Sequence, residues 1–171
     1  MTTAFWICIF LVFYTYTGYG IVLYLLVKLK RTVRPEKRDS ETETELPHVT
    51  LMICAYNEED IVDKKMENTN ALDYPKEKLH VLWVTDGSND LTNQRLAKYD
   101  NVTVAFKPER KGKTAALNHG IKEVKTDIVA MTDANTMLND QAMKVIVAEM
   151  KNPKVGCVAG EKRVMARDDK Q

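Results

Sequence analysis

The first break in the pattern of apolar and polar positions falls after Val27. From Met1 to Val27 there is no Asp, Glu, Lys or Arg, and beyond it charges are dense. Ala4 to Val27 reads AFWICIFLVFYTYTGYGIVLYLLV. At about 1.5 Å per helical residue such a run spans a hydrocarbon core of roughly 30 Å, which predicts a transmembrane helix over residues 4–27. Its Thr hydroxyls can bond back to helix carbonyls, and Gly is common in membrane helices. Trp6 and Tyr24 stand near its ends, where amphipathic rings favour the interface. A cleaved signal peptide would carry positive charge ahead of a shorter apolar core. Here Lys28, Lys30, Arg31, Arg34, Lys37 and Arg38 follow the core instead. Positive flanks stay cytoplasmic, so the pattern predicts a single-pass membrane protein, N-terminus outside and the rest cytosolic.

Residues 28–47 read as a juxtamembrane linker, basic and then acidic. Glu41, Glu43 and Glu45 alternate with Thr, and from Thr32 to Pro47 almost nothing apolar is available to bury. That predicts a solvated segment. The basic cluster suffices as a stop signal, and it also suits anionic lipid head groups.

From His48 the period changes. Short continuous apolar runs, as expected of strands buried on both faces, alternate with segments of helical spacing. Strands are predicted at Val49–Ala55, Leu79–Thr85, Val102–Phe106, Asp127–Thr132 and Val155–Gly160. Helices are predicted from Glu58 to about Asn70, Leu91 to Lys98, Thr114 to Val124 and Asp140 to Met150. This alternation implies an α/β fold, a Rossmann-like, mostly parallel sheet with right-handed crossovers. The 171 residues suffice for one such domain plus the anchor. A net charge of +1 gives no electrostatic case for nucleic acid. Cys8, Cys54 and Cys157 lie in apolar runs without metal-ligand or disulfide spacing, and read as small buried residues.

In open parallel sheets ligands bind beyond the carboxyl ends of the strands. After the first strand comes Tyr56-Asn57-Glu58, after the second Asp86-Gly87-Ser88-Asn89-Asp90. After the third comes Lys107-Pro108-Glu109-Arg110-Lys111-Gly112-Lys113, after the fourth Asp133-Ala134-Asn135. Carboxylates and cations therefore gather on one rim, as a nucleoside diphosphate with a divalent metal requires. Carboxylates accept from a base or ribose and hold the metal, while Lys and Arg offset diphosphate charge. Oxygen ligands suit Mg²⁺ or Mn²⁺, with the substrate's phosphates completing the shell.

Each motif alone has a plainer reading. Asp86-Gly87-Ser88 reads first as a turn capping the next helix. Asp133-x-Asn135 arises readily by chance, and its place directly after a buried strand is what singles it out. Lys111-Gly112-Lys113-Thr114 is not a phosphate loop, because the earlier Gly is missing and Lys107 stands there. No G-x-G-x-x-G occurs, which argues against a dehydrogenase. His119 reads as structural or exposed.

Taken in order, VTLMICAYNEE, LHVLWVTDGSND, RKGKTAALNHGI, DIVAMTDANTML and VGCVAGEKRV resemble the family 2 glycosyltransferases with a GT-A fold. The resemblance covers about His48 to Val164, so residues 48–171 are expected to form part of a nucleotide-sugar-binding GT-A domain. It implies transfer of a sugar from a nucleotide donor, usually UDP-linked, to a hydroxyl acceptor. It assigns Ala55, Tyr56 and Glu58 to the segment cradling the nucleotide and Asp86 to the uracil. Ser88 and Asp90 would shape that loop. Lys113, assisted by Arg110, would lie near uracil and diphosphate, with Asn118 steadying the wall. Asp133 and Asn135 match the D-x-D motif that holds the divalent cation, Mn or Mg.

Three departures accompany the resemblance. Thr85 stands where many relatives have Asp, at a variable position. Asn135 replaces the second carboxylate of D-x-D, which weakens the metal's ligand set. The acceptor half, with its base carboxylate and an Arg-Trp motif, is expected after the fifth strand, and no carboxylate here has that context. The chain is therefore expected to carry the donor-binding half, with no catalytic base of its own, completed by a C-terminal half or partner chain. The alternative is a non-catalytic, membrane-anchored module that binds a nucleotide-sugar or a partner. A sugar nucleotidyltransferase would need a Gly-rich, Arg-containing loop after the first strand, which Tyr56-Asn57-Glu58 does not supply.

Overall fold

The computed structural model describes residues 2–33 and 45–161. Most of the predicted linker, residues 34–44, and the polar tail after Glu161 lie outside the described residues. The chain divides into two compact units, Met1–Thr44 and Glu45–Gln171.

In the first unit α1 (Thr2–Phe13) passes through a π-helical turn at Tyr14–Gly18 into α2 (Tyr19–Val33). Within this stretch Thr2–Lys30 is one helix long and apolar enough to cross a membrane. Its large apolar side chains are exposed along the whole length. A helix apolar all round suits a lipid or protein interior rather than water. The Thr15 hydroxyl donates to the Leu11 carbonyl at 2.7 Å, satisfying itself within the helix.

In the second unit β1 (Val49–Ala55), β2 (Leu79–Asp86), β3 (Val102–Lys107) and β4 (Ile128–Asp133) form one sheet in the order β3-β2-β1-β4. Every pairing is parallel. Four α-helices accompany them: α3 (Val62–Asn70), α4 (Thr92–Leu96), α5 (Lys113–Gly120) and α6 (Ala142–Met150). Side chains alternate across a strand. Val49, Leu51, Ile53 and Ala55 of β1 therefore share one core with Val62 and Met66 of α3, Leu96 of α4 and Met143 and Val147 of α6. Met52 faces the other way, packed with Leu82, Val84, Ala105 and Ala116 of α5. The path steps outward from β1 to β3 with α3 and α4 on one face. It then returns past β1 to β4 with α5 on the other. Crossovers of one hand require that change of face when the direction reverses.

Two expectations are corrected. Val155–Gly160 forms no strand and is mostly exposed. Two glycines in six residues weaken a strand, and among the described residues none pairs with it. The cysteines are not buried as a set: Cys8 and Cys157 are exposed and Cys54 is half-buried. Helix α3 also starts later than its periodicity suggests. The backbone N–H groups of Glu58 and Glu59 bond the side chains of Thr92 at the start of α4 and Asp90 in the loop before it, so the regular helix begins at Val62.

Helix α5 ends hard against the sheet. A Cβ on Gly120 would lie 2.5 Å from both Met52 Sδ and Val84 Cγ2. Overpacking a core costs about 1–3 kcal/mol, whereas replacing Gly in a helix returns roughly 1 kcal/mol. Gly120→Ala is therefore expected to lower the denaturant midpoint. A midpoint at or above wild type would contradict this seating of α5.

Candidate functional site

The order β3-β2-β1-β4 puts β1 at the point where the chain's direction across the sheet reverses. The crevice at the carboxyl ends there is where such sheets bind ligands. The loops after β1 and β2 meet above it. Ala55 is buried as the last residue of β1. Asn57 follows with φ 51°, a left-handed conformation that Asn tolerates. Its amide makes a two-way clamp on Asn89, donating to Asn89 Oδ1 at 2.8 Å and accepting from Asn89 N at 3.0 Å. Asn57 N donates to Ser88 Oγ at 3.1 Å, Glu58 N to Thr92 Oγ1 at 2.9 Å and Glu59 N to Asp90 Oδ2 at 3.1 Å. Asp90 also accepts from Thr92 N at 3.0 Å, and Glu59 Oε2 from Leu91 N at 2.8 Å. Ser88 and Asp90 thus act as fasteners between the two loops. Burial first, then the Asp90 and Asp133 carboxylates, push the half-buried Glu58 above the usual carboxylate range.

Asp86 closes β2 and fastens the basic loop after β3. Its buried carboxylate accepts from Lys111 N at 3.0 Å and from Gly112 N at 2.6 Å. Gly87, at φ 72°, sits so close to this loop that a Cβ would fall 2.7 Å from Arg110 N. Gly87 N donates to the Lys107 carbonyl at 2.8 Å. The Arg110 guanidinium lies over the Tyr56 ring, 3.8 Å from its centroid, a cation–π contact. Between this loop and α5 is a cavity of about 280 Å³ lined by Asp86, Lys107, Pro108, Lys111, Ala115 and His119.

Gly112, at φ 88°, turns the chain into α5, whose first residue Lys113 points to β4. Lys113 Nζ and Asp133 Oδ1 are 2.6 Å apart, both partly exposed. That hydrogen bond, then the carboxylate's charge, raises the Lys113 pKa. The turn after β4 is held by Ala134 N on the Cys54 carbonyl at 3.2 Å and Thr136 N on the Asp133 carbonyl at 3.2 Å. Asn135 is exposed on it. Below the turn Lys65 of α3 is wholly buried and donates from Nζ to the Thr136 carbonyl. Burial pushes its ammonium down to about 8, against the opposing pull of Asp133.

Among the described residues no group of three or more His, Cys, Asp and Glu could hold a metal. A divalent cation that shares its shell with a diphosphate needs only one or two protein oxygens. The Asp133 carboxylate with the exposed Asn135 amide fits that requirement.

The sequence-predicted residues thus separate by role. Tyr56 and Arg110 meet, as do Lys113 and Asp133. Asn118 is exposed on α5, more than a turn beyond Lys113. Thr85 is fully buried, its hydroxyl donating to Asn93 Oδ1 at 2.8 Å, so it faces α4 and not the crevice. Asn57, Thr92, His119 and Lys65 were not singled out for the site from sequence. Lys65 had a readable signal: it shares the helical stripe of Val62, Met66 and Thr69, all buried.

A family model, "Glycosyl transferase family 2", matches residues 50–170. Poly-beta-1,6-N-acetyl-D-glucosamine synthase of Staphylococcus aureus (strain MSSA476) is 34% identical over 125 residues, 70% of this chain and 30% of that protein. The chain thus spans less than a third of that relative's length. The mannosyltransferase PcManGT from Pyrobaculum calidifontis, solved with GDP-Man and Mn²⁺, superposes with a TM-score of 0.71 at 29% identity, over 87% of this chain and 45% of its own. Residues 1–349 of TarS from S. aureus share the fold, with a TM-score of 0.57 at 23% identity over 61% of this chain and 32% of theirs.

Two outcomes are expected here. Gly87→Ala should free the basic loop, since φ 72° and the contact with Arg110 N both reject a side chain. Faster amide exchange at Lys111 and Gly112 would register it; unchanged protection would refute the contact. The second concerns pH. The unfolded chain keeps the Lys65 proton to its ordinary 10.5, whereas the folded chain releases it near 8. Between those values the unfolded state binds more protons, so this group makes stability rise with pH. The wild type should therefore gain stability relative to Lys65→Met as pH goes from 7 to 9, read from urea midpoints.

Proposed function

The chain belongs to glycosyl transferase family 2, and on that premise we propose that it carries the donor-binding face of a membrane-anchored glycosyltransferase. The transfer runs from a nucleotide-sugar, a UDP-sugar in our reading, to a hydroxyl of a cell-surface or exported polysaccharide or glycolipid. The observation that carries the reading is the Lys113–Asp133 pair at 2.6 Å in the crevice beside the Asp86 loop. A cation and a carboxylate held together there can separate toward the two ends of one ligand. Lys113 turns to the diphosphate, and Asp133 with Asn135 holds a divalent cation, Mn or Mg. When bound, that cation offsets charge on the departing nucleoside diphosphate.

The remaining residues bind and orient. Asp86 keeps lone pairs for a uracil N–H beside the bonds it accepts from the loop. The Tyr56 face, released by Arg110, offers a stacking surface, and Arg110 then reaches phosphate oxygens as a planar fork. Glu58, held half-buried, accepts from a sugar or ribose hydroxyl. Relatives support the donor class: one is named a poly-N-acetylglucosamine synthase, and another was solved with GDP-Man and Mn²⁺. The general base for the acceptor is assigned to the length of the relatives that this chain does not span. The helix Thr2–Lys30 anchors the chain, and the Lys and Arg that follow keep the domain cytoplasmic, with the N-terminus outside.

Calorimetric titration with UDP and MnCl₂ tests this reading. Wild type should bind UDP more tightly with Mn²⁺, Asp133→Ala should lose that gain, and Asn135→Asp should keep or strengthen it. Equal affinity in wild type and Asp133→Ala would sink the assignment. GDP in place of UDP tests the base, with weaker binding expected.

A further inference from the structure

A buried lysine without a carboxylate partner is costly. Taking an ammonium out of water carries a penalty of several kcal/mol unless an opposite charge and hydrogen bonds repay it. Lys65 is fully buried, takes part in none of the ion pairs among the described residues, and has a carbonyl as its acceptor. An apolar side chain of similar length would suit the surrounding core of Val62 and Met66 better. What the ammonium reaches is the underside of the turn that carries Asp133 and Asn135.

A second side chain on the same helix face reaches the same segment. Asn68, three residues on from Lys65, donates from Nδ2 to the Leu138 carbonyl at 2.7 Å and accepts from Leu138 N at 2.9 Å. The segment from Ala134 to Leu138 is irregular and has few backbone bonds of its own. Helix α3 therefore supplies, at two points, the partners that a neighbouring strand would otherwise provide.

We propose that Lys65, seconded by Asn68, is a positioning residue for the donor site, fixing from below the turn that presents Asp133 and Asn135 to a metal–diphosphate. This rests on the reading of the site given above. The bond from the Lys65 ammonium to the Thr136 carbonyl is charge-assisted, so it holds the turn more firmly than a neutral donor would. Groups that hold metal ligands from behind typically shift affinity by about 10–100-fold when removed.

The test uses the full chain in detergent, with UDP and MnCl₂ as probes, and compares UDP affinity with and without Mn²⁺. In Lys65→Met the gain from Mn²⁺ should fall by about tenfold or more. Metal-free UDP affinity should hold, and the thermal midpoint at pH 7 should equal or exceed that of wild type. A merely structural lysine would move midpoint and both affinities together, and that result overturns the proposal. An unchanged gain in Lys65→Met, while Asp133→Ala has lost it, overturns this inference and leaves the donor-site reading standing. No gain in wild type overturns both. Should Lys65→Met not fold, Lys65→Gln carries the same comparison, since it keeps a donor and removes the charge.

Discussion

The second unit depends on one constraint: its two central strands have almost no water on either face. Nearly every position of β1 and β2 is buried. A strand so placed carries a polar side chain only where a partner meets it, as Thr126 meets Thr50 and Asn93 meets Thr85. Polar chemistry is therefore displaced to where the strands end, and in a parallel sheet all the carboxyl ends lie on one rim. The crevice, the cluster of charges and the double layer of helices are three results of the same burial.

Little of that rim is held by regular secondary structure. Side chains of one loop satisfy the backbone of another: Ser88, Asp90 and Thr92 serve the segment after β1, and Asp86 serves the basic loop. Because buried backbone groups must find partners, these side chains are not interchangeable with residues of like polarity. The arrangement also divides labour. Carboxylates already committed to amides set shape, and the Asp133 and Lys113 side chains, paired with each other, remain to exchange partners.

Much of this was legible in the sequence. The strand β1 was read at its observed limits and β2 to within one residue, because a doubly buried strand announces itself as an unbroken apolar run. The same signal failed at Val155–Gly160: an apolar run specifies burial, whereas a strand also needs a neighbour, and that is a property of the whole fold. Asp86 and Asp133 were legible as rim residues because each ends a strand, and Lys113 because it opens the helix after the basic loop. Lys65 was passed over because lysine is usually solvated, and only its place on an apolar stripe marked it. The resemblance has Ser88 and Asp90 shaping their own loop; that they also fasten it to the loop after β1 is visible only in the fold. The part played by Asn57 was likewise not legible, since a single left-handed Asn has no signature in one sequence.

Among the described residues β3 ends the sheet on one side, with Val104 and Phe106 exposed along it. Its outer N–H and C=O groups form a row of half-made ladder bonds, with large apolar side chains beside them. Such an edge makes the unit's colloidal behaviour depend on concentration. Two molecules that meet edge to edge satisfy both requirements at once.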